Sequence, residues 1–197
     1  MKRNKTQPSN RERVIETAAQ LFLTGGYAYT SMDDVMRESH VSKSNIYYHF
    51  KSKEDLLLAV VEYWADRYED LVCTSLGEHE LGVEERILAF TEMLAAGFTA
   101  RGNHGGCPFI TLYLQCSGES AAVKARIARF FTDMHPLLAK LFEQGIRKRE
   151  FREEIRAEEA ASLFIAALEG SLVLAETTRD AGVVRRTALQ FCRMLHS

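Results

Sequence analysis

Ser31, Ser42 and Ser52 each stand three residues ahead of a short polar side chain: Asp34, Asn45 and Asp55. A serine with such a partner is the signature of a helix start, because its hydroxyl can accept from the backbone N–H three residues on. Three starts this close together leave room only for two short helices and the opening of a third. Met32, Val35 and Met36 supply an apolar face for the first. Ser39-His40-Val41 is long enough only for a turn, and the second helix, about two turns, closes at Phe50 and Lys51. In that second helix only Ile46 and Phe50 are clearly apolar, four residues apart on one face. A helix so short does not hold itself together in water, so neighbours must carry it. Lys43, Ser44, Asn45, Tyr47, Tyr48 and His49 are then free for contact. These side-chain types hydrogen-bond phosphates and base edges. Two helices joined by a tight turn, the second of them polar, form a helix-turn-helix.

The charge distribution agrees. The chain of 197 residues has a net charge of −2, yet residues 1–53 hold nine Lys/Arg and five Asp/Glu, giving +4 and leaving −6 for the rest. A basic head on an acidic body fits a module that reads DNA joined to one that does not. Residues 1–9 form a polar, basic arm suited to phosphate or minor-groove contact. No apolar run approaches the roughly 20 residues needed to span a bilayer. The basic start is followed by no apolar signal region. A cytoplasmic protein without membrane contact is expected. The four cysteines, at 73, 107, 116 and 192, form no CxxC pair and are expected to be reduced thiols.

Helical periodicity continues throughout. Ser9 or Asn10 caps a first helix that Gly25-Gly26 ends in a left-handed turn. A long helix follows Ser52, reaching from head to body as a lever. Further helices are predicted over about 83–100, from Pro108 to Leu114 with Cys107 as N-cap and Ser117-Gly118 as the stop, over 121–148 with a kink or split at Pro136, over 157–178 and over 183–195. No strand alternation persists. The expected fold is all-α, about nine helices, with a helix-turn-helix head over residues 1–55 and a ligand-binding and dimerisation domain over 56–197. The last two helices are rich in Ala, Gly and Ser, and such faces permit close helix–helix approach. A helix-turn-helix protein reads a two-fold site with two copies. A dimer seam is therefore expected at Phe164, Leu168, Ser171, Leu172, Ala175, Leu189 and Cys192.

Thr30-Ser-Met-Asp-Asp-Val and His40-Val-Ser-Lys-Ser-Asn-Ile-Tyr-Tyr-His-Phe-Lys-Ser-Lys-Glu-Asp-Leu resemble the N-terminal signature of TetR/AcrR-type regulators over residues 10–57. His40 and Ser44 stand where that family usually carries Gly, and His tolerates a left-handed backbone better than most residues. Gly106-Cys107-Pro108 and Leu168-Glu-Gly-Ser-Leu-Val-Leu-Ala175 resemble the regulatory domain of its LmrA/YxaF-like branch. The resemblance implies a homodimeric repressor on a palindromic double-stranded operator, released when a small apolar or electrophilic effector spreads the two heads. By motif position, Thr30, Ser31, Lys43, Tyr47, His49 and Lys53 would contact phosphates. Lys43, Ser44, Asn45 and Tyr48 would lie nearest the bases, with Ser42 in the same surface and Ile46 and Phe50 in the core.

In the body, Trp64, Tyr68, Met93, Phe98, Phe109, Tyr113, Phe130, Met134 and Phe164 could line an apolar effector pocket, although such stripes at helical spacing are more often core. Glu169 and Glu176 interrupt an apolar helix and could face a cationic ligand, solvent or a dimer partner. Cys107 belongs to the same pocket. At a helix N-cap its thiolate would be favoured, which makes it a candidate sensor of electrophiles or oxidants. Some thiol-sensing relatives set a Lys opposite this position, where Glu176 stands here. His104, Cys107, Cys116 and His135 match no metal-site spacing, and a Cys107/His104 pair lacks an orienting group and an oxyanion site. No enzyme activity, metal or cofactor is expected.

Overall fold

A computed structural model describes residues 8–77, 80–116 and 120–196. The basic arm before Pro8 and the Ser117-Gly118 stop lie outside the described residues. Among those described, nine α-helices and no strands occur: α1 Asn10–Leu21, α2 Met32–Ser39, α3 Lys43–His49, α4 Lys53–Leu76, α5 Val83–Ala100, α6 Pro108–Gln115, α7 Ala121–Arg147, α8 Ala157–Thr178 and α9 Gly182–Leu195.

Ser9 opens α1 with a capping box to Glu12, and Val14, Ile15, Ala18 and Ala19 form its buried face. The helix does not stop at the glycine pair directly. It widens into one π-helical turn, Phe22–Gly26, and only Gly26 takes the left-handed turn, at φ +87°. Ser31 and Ser52 cap as the spacing predicts, each accepting from the backbone N–H of the aspartate three residues on. Ser42 stands at the N-cap of α3 without bonding the helix; its hydroxyl faces that of Ser44 at 3.3 Å. His40 is left-handed, φ 55°, and ends α2. Arg13 of α1 donates to the Ser39 carbonyl at 2.6 Å, fastening the end of α2 to the first helix.

α4 belongs to both halves. Leu56, Leu57, Val60 and Val61 are buried near its start, where it packs on α1, and Val72 and Leu76 are buried further along, where it meets α5 and α7. α7 runs through Pro136 as one element. An interior proline costs about 3 kcal/mol or more. Burial of Met134, Leu138, Leu141 and Phe142 on either side offsets it, at about 1.5–3 kcal/mol each. Phe142, Phe164 and Phe191 form one ring cluster with centroids 5.1–5.9 Å apart, which locks α7, α8 and α9 together. Arg86 of α5 is buried and donates to the Leu76 carbonyl and to Gln144 Oε1 (3.0 Å), tying α4, α5 and α7.

Packing corrects two expectations. α8, with 22 residues and a mean hydropathy of 1.4 over its most apolar stretch, is long and apolar enough to cross a bilayer by length and composition. Its inner face, Ala160, Ala161, Phe164, Leu168, Leu172 and Ala175, is instead buried against α7 and α9. The same burial revises the expected dimer seam. Phe164, Leu168, Ser171, Leu172, Ala175 and Cys192 are buried within the protomer and pack the chain's own core, whereas Leu189 stays half-buried. The face turned outward carries Leu163, Leu174 and Met194, each about half exposed (55%, 55% and 49%). Small residues allowed close approach, but the partner is the neighbouring helix of the same chain.

Candidate functional site

The head presents α3 to solvent on the strength of two anchors. Ile46 and Phe50 are buried, and Arg11 of α1 lies 5.6 Å over the Phe50 ring. That leaves Lys43, Ser44, Tyr47, Tyr48 and His49 exposed together. Lys43 Nζ lies 3.4 Å from Asp33 Oδ1 and 5.9 Å from the Tyr47 ring, both exposed contacts that a phosphate could replace. Ser42 is exposed, with a hydroxyl bonded to no backbone group of the helix.

Other residues of the expected surface sit differently. Thr30 is buried and donates its hydroxyl to the Gly26 carbonyl at 2.9 Å, closing the π turn instead of facing outward. Ser31 is exposed but exchanges hydrogen bonds with Asp34, whose carboxyl those bonds hold at a pKa of about 2. Asn45 turns partly inward, with its Oδ1 buried and unbonded. Lys53 is half-buried, with its ammonium 4.2 Å over the Tyr27 ring and 3.5 Å from the Ala28 carbonyl. Tyr29 was not expected. It is 90% exposed immediately before α2, and full exposure of a large aromatic is the signal that marks it.

In the body a second constellation is turned inward. Phe109 stacks on Phe130 at 3.9 Å; Tyr68 meets both edge-on, and Trp64 meets Tyr68. Arg101 lies 5.4 Å over Trp64, and its charge also acts on the buried Tyr68 hydroxyl. Cys107 stands at the start of α6, where the charge of Glu169 of α8 acts on its thiol. Burial lifts the Glu169 carboxyl to a pKa of about 7, the contact with Cys107 pulling weakly the other way. The Tyr68 hydroxyl is raised too, by burial first and then by the charges of Cys107 and Glu169.

The thiolate expected at Cys107 meets the same environment. The N–H groups of Ile110 and Phe109 do favour it, as a helix start should. Burial and then Glu169 outweigh them and push the thiol well above its ordinary range. Of the other expected pocket residues, Phe98, Met134 and Phe164 are buried, whereas Met93 and Tyr113 are about 40% exposed (39% and 43%). Glu176 holds the loop before α6: its Oε1 accepts from the Gly105 N–H at 2.9 Å.

That loop, residues 101–107, lies between the two sites. Arg101 donates to the Gly106 carbonyl at 2.9 Å, and Thr111 to that of Gly105 at 3.1 Å. Gly105, at φ +73°, rests on Leu23 of the head so closely that an added Cβ would stand 2.8 Å from the leucine's own. Further along, Gln115 at the end of α6 accepts from the Tyr27 N–H at 2.7 Å. The segment that carries Cys107 at its end therefore also touches the first helix of the head.

Among the described residues no three His, Cys, Asp or Glu side chains gather as a metal site would. One triad-like arrangement does occur: His135 reaches Ser162 Oγ at 2.8 Å through Nε2 and Glu158 Oε2 at 3.3 Å through Nδ1. Ser162 sits inside α8, where the surrounding backbone N–H groups are bonded within the helix, and its hydroxyl also donates to the Glu158 carbonyl at 3.0 Å. Such a site has no oxyanion donors to offer.

An exposed polar helix after a tight turn, carried on an all-α body, defines a helix-turn-helix DNA-binding regulator. Residues 14–60 match the model for bacterial regulatory proteins of the tetR family, and residues 83–191 match the tetracyclin repressor-like C-terminal domain. The chain belongs to the TetR family of transcriptional regulators. It is 27% identical to the HTH-type transcriptional regulator YxaF of Bacillus subtilis over 173 residues, 87% of each chain. It is likewise 27% identical to LmrA of the same organism over 178 residues, 87% of this chain and 88% of that one. The regulatory protein TetR from Rhodobacter sphaeroides shares the fold, with a TM-score of 0.87 at 20% identity over 93% of this chain and 97% of that one.

Proposed function

We propose that the chain is a cytoplasmic repressor that binds a palindromic operator as a homodimer and lets go when a small molecule enters the body. Lys43, Ser44, Tyr47, Tyr48 and His49 would enter the major groove, with Ser42, Lys53 and Tyr29 at the flanking phosphates. The dimer seam would lie on the outer faces of α8 and α9, where Leu163, Leu174 and Met194 stay exposed. The observation that carries the release step is the 101–107 loop, which touches Leu23 on one side and ends at Cys107 on the other. A ligand that displaces Cys107 or Glu169 would move Gly105 and Gln115 against the head. That shift would take the two α3 helices off the spacing of about 34–36 Å that adjacent major grooves require.

The test is selection of bound DNA from a random pool with the full chain, repeated with Tyr47→Ala and Leu174→Glu. An enriched palindrome is expected, weakened at least about tenfold by Tyr47→Ala. Leu174→Glu should halve the particle mass in sedimentation and lose the palindrome while leaving the fold intact. No enrichment at low salt, where phosphate contacts are strongest, would count decisively against the reading.

A further inference from the structure

Between α1 and α4 lies a groove of about 650 Å³. Ile15, Ala59 and Tyr63 supply its apolar lining, and its charged groups are Glu12, Glu16, Glu62 and Asp66 against one guanidinium, Arg11. Two of the carboxylates are already engaged. Glu12 accepts from the Ser9 N–H at 2.7 Å, and Glu62 from Arg126 of α7 at 2.8 Å. The nearby cations are engaged as well: Arg11 lies over the Phe50 ring and Arg67 over the Tyr63 ring, at 5.6 and 5.2 Å. Glu16 on α1 and Asp66 on α4 form no ion pair or hydrogen bond among the described residues. Apolar lining between two unneutralised carboxylates suits a side chain with an aliphatic stem and a cationic head, which is lysine or arginine.

The chain supplies such a segment itself. Pro8 forms one edge of the groove, and residues 1–7 ahead of it carry Lys2, Arg3 and Lys5 and no acidic group. Seven residues can reach at most about 25 Å, so a segment anchored at the groove's own edge can lie along it. So short a tether presents the arm at an effective concentration on the order of millimolar. Contacts too weak to hold a separate molecule are then sufficient.

We infer that residues 1–7 dock in the α1–α4 groove of their own chain when DNA is absent, their cations set against Glu16 and Asp66. Exposed ion pairs are weak and screened by salt, so the arm is held lightly and exchanges. The consequence for DNA rests on the reading of the head given above, in which Lys53 at the start of α4 lies at the flanking phosphates. Residues 59–66 lie about 9–20 Å further along that helix, at 1.5 Å per residue. A docked arm is thus turned away from the DNA, and it must leave the groove before its cations can reach phosphate. The groove competes with DNA for the arm.

Trypsin digestion of the full chain without DNA, read by mass spectrometry at Lys2, Arg3 and Lys5, tests the docking. Cleavage at Arg179, exposed between α8 and α9, is the internal standard for protease activity and for the fold. In low salt the wild type should be cut in the arm about threefold or more slowly than Glu16→Gln/Asp66→Asn. At about 0.5 M salt, where charges are screened within a few ångströms, the two should be cut alike. Both substituted positions are exposed and the amides match the carboxylates in shape, so the fold is kept. Equal rates in low salt, or protection that survives the substitutions or the salt, overturn the inference. Protection lost on dilution would place the arm on a second copy and overturn docking within one chain. With random-sequence DNA, the double substitution should tighten binding about threefold, and should do nothing in a chain that also carries Lys2→Gln, Arg3→Gln and Lys5→Gln. Equal tightening in both backgrounds overturns the competition. A chain that binds no DNA removes the regulator reading and leaves the protease result standing.

Discussion

The head and the body treat polar side chains in opposite ways. In the head, the polar groups that build structure find partners three residues away: Ser9 with Glu12, Ser31 with Asp34, Ser52 with Asp55. The polar side chains of α3 that build no local structure point outward. In the body, the polar groups that matter are turned in and reach across the chain: Gly105 to Glu176, Tyr27 to Gln115, Cys107 to Glu169. A surface that reads DNA must stay wet and charged until it meets phosphate. A site that reads a small molecule must be dry, because a charge is felt most strongly where water is excluded. The two halves of one regulator therefore place the same residue types on opposite sides of their helices.

The sharpest way to break this comparison is at the contact joining the halves. Gly105→Val puts a branched side chain at φ +73° against Leu23. Strain and overlap together should destabilise the protein by about 2–6 kcal/mol in denaturant melts. A change under about 0.5 kcal/mol would mean that the loop is not pressed on the head.

Glu169→Gln is next and has the opposite sign. The carboxyl titrates near 4.5 in the unfolded chain and near 7 when folded. Between those values the folded protein keeps a proton that the unfolded chain has lost. Wild-type stability therefore falls as pH rises through this window and stays lower above it, by about 3 kcal/mol in all. The variant should be more stable than wild type by up to that amount at about pH 8 and by almost nothing at about pH 4. A difference that does not vary with pH would show that Glu169 is solvated.

The smallest effect is expected at the second head–body contact. Gln115→Ala leaves the Tyr27 N–H without its partner and should cost about 1 kcal/mol. Operator affinity in the absence of effector should change less than the affinity change on adding effector. The reverse would place Gln115 in the DNA-reading step.

The architecture was largely legible because α-helices are written locally. Caps, glycine stops and the 3–4 spacing of apolar residues all act within one or two turns, and they placed α5, α7 and α8 to within a residue. Pro136 does not split α7, since the local rule for proline ignores the burial on both sides of it. The exposed face of α3 was readable for a related reason: when only Ile46 and Phe50 can go inside, the rest must be out.

Thr30, Asn45 and the buried residues of the expected dimer seam went astray because the direction a polar or small side chain takes depends on what the next helix offers. Thr30 could face a phosphate or the Gly26 carbonyl, and only the π turn chose. Phe164 and Leu172 could meet a second copy or α7 and α9, and packing within the protomer claimed them.

By itself the sequence determined the helices, their order and the polar face that α3 turns to solvent, since these follow from spacing along one chain. Tertiary structure alone decided that Glu169 lies unpaired beside Cys107, that Arg86 ties three helices, and that Gly105 rests on Leu23. Those facts depend on residues far apart in the chain meeting in the dry interior, where the energy of a charge or a Cβ is set by its neighbours in space.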